Sequence, residues 1–142
     1  MNPLPSAADK GDLKTVRNLM KAADPSQTDK DLALGRACCA GHFEVAQFLV
    51  ENGADPNGQY QTKDGRFEYG PIILASCEFL NAEGVKFLLD CGANPNGNPP
   101  DSQHMQSCTP LEMVNSTYAK NEEGKRRCID LLIAAGAHSD LV

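Results

Sequence analysis

The 142-residue sequence lacks the features that would mark a membrane protein or a familiar enzyme. No run of about 18 apolar residues occurs, so the sequence offers no membrane-spanning helix. The opening MNPLPSAADK has neither a basic segment nor an apolar stretch, and a secretory leader is not expected. Gly-x-Gly-x-x-Gly, a Walker-type phosphate loop, His-Glu-x-x-His and Gly-x-Ser-x-Gly are all missing. Positive charge is scarce: 13 Lys and Arg stand against 19 Asp and Glu, leaving a net charge of −6. Such a chain repels phosphate backbones, which argues against nucleic acid as a partner. The one short basic run, Lys125-Arg126-Arg127, follows Glu122 and Glu123 and reads as a solvated helix face.

What is present fits one ordinary soluble domain, with 41% hydrophobic and 23% charged residues. The acidity sits in the middle. Between residues 71 and 108, Lys86 alone faces Glu78, Glu83, Asp90 and Asp101. Six cysteines occur (Cys38, Cys39, Cys77, Cys91, Cys108, Cys128) without any Cys-x-x-Cys. With no leader expected, they read as reduced thiols of a cytoplasmic protein, with the nucleus or a host cell left open. His42, His104 and His138 are scattered and form no local ligand pair with a cysteine. No metal site, cofactor or catalytic constellation is expected.

The sequence repeats itself. Leu49-Val50-Glu51-Asn52-Gly53-Ala54-Asp55-Pro56-Asn57 returns as Leu88-Leu89-Asp90-Cys91-Gly92-Ala93-Asn94-Pro95-Asn96, and again as Leu132-Ile133-Ala134-Ala135-Gly136-Ala137-His138. Apolar positions at i, i+3 and i+4 precede each glycine: Val45, Phe48, Leu49; Val85, Leu88, Leu89; Cys128, Leu131, Leu132. That spacing predicts a helix with one apolar face. The glycine just beyond it suits a left-handed C-terminal cap. Pro71 and Pro110 suit the first turn of an earlier helix, with Thr109 as its cap. Each unit therefore reads as helix, turn, helix and extended loop.

This pattern resembles the ankyrin repeat family. Gly41-His42-Phe43-Glu44-Val45, Gly53-Ala54-Asp55-Pro56-Asn57 and Thr109-Pro110-Leu111 carry the resemblance. Four copies are expected, at about 5–24, 31–57, 70–96 and 109–138, forming an all-α solenoid with finger loops over one domain spanning 1–142. Both long fingers exceed the family's usual length. The last copy carries extra residues near Thr117–Gly124, read as a longer first helix with Asn121 capping the second. The third copy has Leu80-Asn81 where the family places Gly-His, which predicts a looser turn. Asn57 and Asn96 occupy the finger asparagine that some members hydroxylate. After Pro56 and Pro95 the match is weaker, and a turn-tying role stands beside it.

The resemblance implies a monomeric protein-binding module without catalysis, docking its partner through a concave face and the fingers. Inhibition of a partner enzyme and bridging of two proteins are the alternatives. The acidity implies a partner with a basic patch. Candidate contacts in the first finger are Tyr60, Arg66, Phe67 and Tyr69, residue types suited to hot spots, although the aromatics would equally serve to pin the loop. At the ends of the first helices stand Cys39, Ala40, Glu78, Phe79, Ser116, Thr117 and Tyr118. Of these, Glu78, Phe79 and Tyr118 are candidate contacts, with core packing as the other reading of Phe79. The second finger adds Met105 as an adaptable apolar contact.

Overall fold

A computed structural model describes residues 3–61, 68–98 and 108–137. Its helices come in successive pairs: α1 (Pro3–Lys10) and α2 (Leu13–Ala22), α3 (Gln27–Ala40) and α4 (Phe43–Glu51), α5 (Ile73–Glu78) and α6 (Ala82–Asp90), α7 (Pro110–Ser116) and α8 (Glu122–Ala134). Between the second and third pairs, β1 (Gln59–Gln61) and β2 (Glu68–Pro71) form an antiparallel hairpin, with Tyr60 opposite Gly70 and an irregularity between Tyr60 and Gln61.

No pair can cover its own apolar face, so each leans on the next. The first helices pack in a row, α1 on α3, α3 on α5 and α5 on α7, while α2 meets α4 and α6 meets α8. One core runs through the stack. Leu4, Leu34, Ile73 and Leu111 enter it from the first helices, and Val45, Leu49, Val85, Leu88, Cys128 and Leu132 from the second. The i, i+3, i+4 pattern thus marks the buried stripe as expected. Between second helices, Phe43 stacks on Phe87 with ring centroids 5.6 Å apart, and the Arg17 guanidinium lies 5.4 Å from the Phe48 ring centre.

Each later second helix closes with the same backbone bond. Ala54, Ala93 and Ala137 each donate to the carbonyl five residues back, on Leu49, Leu88 and Leu132, at 2.9 Å. The intervening Gly53, Gly92 and Gly136 have φ of 103°, 105° and 109°, a region closed to most L-residues by their Cβ. In the first copy, which lacks that glycine, Asp24 adopts φ of 42° just past the helix.

The turn at Leu80-Asn81 is not looser than its counterpart. Leu80 takes φ of 53° and its neighbour Asn81 donates to the Ser76 carbonyl at 2.9 Å, just as His42 donates to Ala37 after Gly41. Burial explains why a leucine holds this costly conformation, since its side chain is 3% exposed. Three further expectations change. The second copy's first helix starts earlier, at Gln27, because Ser26 caps it by accepting from the Asp29 N–H. Pro71 ends β2 instead of opening a helix. In the last copy the first helix is not longer, for α7 stops at Ser116. The extra residues form the loop 117–121 and lengthen α8 to 13 residues, against 9 in α4 and α6. Thr109 and Asn121 do cap their helices: Thr109 forms a reciprocal box with Glu112, and Asn121 accepts from the Gly124 N–H.

Candidate functional site

Helix ends that lie side by side build the surface of interest. Asn81 caps α6 by accepting from the Gly84 N–H at 3.0 Å, and its amide donates to the carbonyls of Cys38 and Cys39 at 3.1 and 2.9 Å. One side chain therefore starts α6 and fastens it to the end of α3. The hydroxyl of Thr117 donates to the Glu78 carbonyl and ties the 117–121 loop to the end of α5. Across the second helices, Arg127 of α8 pairs with Glu83 of α6. Gly84 and Gly124 permit these close approaches, since a Cβ on either would come within 2.8 Å of a carbonyl, Cys38 O and Leu80 O respectively.

These contacts leave a cleft of about 480 Å³ whose lining includes Cys39, Phe79, Glu83, Glu123, Gly124 and Arg127. Phe79 is 64% exposed, so the core-packing reading of this residue does not hold. Tyr118, 39 positions later, is 99% exposed, and Glu78 is exposed beside Phe79. The half-buried Cys39 thiol approaches the Ser76 hydroxyl at 3.8 Å. Burial pushes that thiol up, and the carboxylates of Glu78 and Asp9 add to the effect. It is a poor nucleophile. Cys38 and Cys77 are pushed far up by burial, and Cys128 to about 11.

Of the finger candidates, Tyr60 and Tyr69 have their backbones in β1 and β2, whereas Arg66, Phe67 and Met105 lie outside the described residues. Among the described residues, no group of three His, Cys, Asp or Glu is arranged to hold a metal ion, and no helix is long and apolar enough to cross a membrane.

The asparagines of the fingers play a part that local sequence does not reveal. Asp55 and Asn94, not Asn57 and Asn96, tie the turns through their side chains, accepting from the N–H two residues on at 2.8 and 2.9 Å. Asn57 instead reaches the next copy. Its amide donates to the Gly92 carbonyl at 3.1 Å and its oxygen accepts from the Asn94 N–H at 2.7 Å. Asn96 repeats the first bond to the Gly136 carbonyl at 3.3 Å. One copy earlier, two residues close the equivalent junction. Gln27 donates to the Gly53 carbonyl at 2.7 Å, and Asp31 accepts from the Asp55 N–H at 2.7 Å. The clue in the sequence was the 39-residue spacing of Asn57 and Asn96, equal to that of Gly53 and Gly92.

Paired helices, fingers and glycine caps recurring along one row define a repeat stack, and comparison identifies its kind. The family model for ankyrin repeats, in three copies, matches residues 4–99, and the chain belongs to the ankyrin repeat family. The α7–α8 pair lies beyond the matched segment. A 94-residue stretch is 35% identical to the ankyrin repeat and KH domain-containing protein mask-1 of Caenorhabditis elegans, covering 65% of this chain and 3% of that protein. Another, of 57 residues, is 49% identical to human ankyrin repeat domain-containing protein 39, covering 38% of this chain and 31% of that one. The human ASB11 ankyrin repeat domain superposes over 99% of this chain and 57% of its own, with a TM-score of 0.67 and 26% identity. This chain thus spans under a third of either curated relative. Ankyrin repeats are generally protein–protein interaction modules.

Proposed function

We propose that this chain recognises another protein by docking alone, through the ends of its first helices and the first finger. The observation that carries the reading is the pair of bare aromatic rings at neighbouring helix ends, Phe79 at 64% and Tyr118 at 99% exposure. Leaving an apolar ring in water forgoes about 1.5–3 kcal/mol of burial, which a partner would recover. Glu78 beside Phe79, and the acidic middle of the chain, favour a partner with a basic patch and binding that weakens as salt rises. In this reading the finger candidates Tyr60, Arg66, Phe67, Tyr69 and Met105 supply a second set of contacts. The buried thiols suit a reducing compartment such as the cytoplasm.

Capture from a native lysate on the immobilised chain, at low and high salt, tests this reading. A protein that binds wild type, elutes with salt and is lost on Phe79→Ala plus Tyr118→Ala is the expected result. Capture unaffected by both substitutions and by salt overturns it. One-to-one binding that lowers an activity of the captured protein would assign inhibition; simultaneous capture of two proteins would assign bridging.

A further inference from the structure

We propose that the cleft between α6 and α8 seats an arginine side chain presented by a protein partner. This rests on the docking function above and adds where the partner anchors and by what chemistry.

Three observations converge. First, the cleft, at about 480 Å³, falls within the range of ligand pockets, ~300–1,000 Å³. It is an open trough, which suits a side chain hanging from a continuing backbone better than a detached small molecule. Second, Phe79 offers a ring 64% exposed at its edge, with the Cys39 thiol and Ala82 supplying further uncharged lining. A guanidinium is planar and weakly hydrated, so it stacks on such a ring where an ammonium would hold its water. Third, the charge is unbalanced. Glu83 and Glu123 line the cleft against Arg127 alone. Arg127 bonds Glu83 and feels the field of Glu123 as well, so one guanidinium serves two carboxylates. A second guanidinium, brought by the partner, would balance the set. Beside these, Glu78 and Asp9 act on the Cys39 thiol of the lining, opposed by Arg36.

The surface differs from the fingers, where the asparagine clamps lie. Here it is formed by the turn ends of three neighbouring helix pairs: Cys39 on the second, Phe79 and Glu83 on the third, Glu123 and Arg127 on the fourth.

The test is an amide NMR titration of the full chain with the peptide acetyl-Ala-Arg-Ala-amide and its citrulline counterpart, which keeps the shape and loses the charge. The arginine peptide should shift the Leu80, Asn81 and Gly124 amides saturably, with affinity about tenfold above citrulline, and added salt should weaken it. Phe79→Ala and Glu123→Gln alter exposed side chains, so both should fold, and each should abolish the saturable shifts. Equal shifts with citrulline, shifts spread evenly over the acidic surface, or no saturable shift at all would overturn the inference. Shifts confined to the finger bases at Gly58 and Gly97 would overturn it while leaving protein docking intact. Docking itself fails only in the separate capture experiment.

Discussion

Asn57 holds Gly92: the carboxamide of one finger donates to the carbonyl at the end of the next copy's second helix, 35 residues on, at 3.1 Å. With the return bond from the Asn94 N–H at 2.7 Å, both polar ends of one side chain are spent on the neighbouring copy. Asn57→Ala should therefore lower stability by about 1–2 kcal/mol, the net worth of two hydrogen bonds. Urea unfolding measures it. Gln27→Ala at the preceding junction also removes two bonds, from its amide to the Gly53 carbonyl and to Asp31 Oδ1, and should cost a similar amount. A loss of zero at both positions would mean the clamps are decorative.

Leu80 sets backbone strain against burial. Its φ of 53° costs about 1–2 kcal/mol, while truncating a leucine that is 3% exposed costs about 2–5 kcal/mol. Burial outweighs strain over most of that range, so Leu80→Gly should destabilise by roughly 0–4 kcal/mol despite relieving the strain. A more stable variant in thermal unfolding would show that the side chain packs poorly.

Asp31 is a buried carboxylate, 6% exposed, whose desolvation raises its pKa above 3.8 although Asp55 and Gln27 donate to it. A raised pKa means the native state binds the proton more tightly than the unfolded chain does. Stability attached to this group is then present at low pH and lost as pH rises through the native value. Both hydrogen bonds fall on Oδ1, at 2.8 and 2.7 Å, and an asparagine oxygen accepts them equally. Asp31→Asn should be more stable than wild type at neutral pH, with the difference shrinking under acid. Denaturant curves across that range check the sign, and a variant weaker at pH 7 would contradict it.

Thiol reactivity reads the core directly. Cys38, Cys77 and Cys128 are buried, with their ionisation pushed up, so a soluble disulfide reagent at pH 8 should leave them unmodified until the chain unfolds. Cys91, only partly covered, should react in the native protein. Mass mapping of labelled peptides decides, and rapid native labelling of Cys77 would mean that α5 opens easily.

Much of the fold is legible in the residues. Leu49, Leu88 and Leu132 stand four positions before Gly53, Gly92 and Gly136, and local rules suffice for such a helix and its cap. Thr109 and Asn121 are readable for the same reason. Sequence misleads where the outcome depends on a neighbour. Asn57 has the same local options as any turn asparagine, and only the adjacent copy supplies Gly92 O. The extra residues of the last copy fit either helix by propensity; Thr117, latched to the Glu78 carbonyl, ends α7 and sends the length into a loop and α8. Phe79 is ambiguous in sequence because nothing local says that Leu80, not Phe79, turns inward at that bend. The cleft is invisible at that level, since its walls come from three copies.

Amide hydrogen exchange of the chain, alone and bound to the protein it captures, tests the docking account most directly. Slower exchange should appear at 79–81, 117–121 and the two finger strands, with α2 and α4 unchanged. Slowing confined to α2 and α4, or a captured small molecule with no protein, would contradict it.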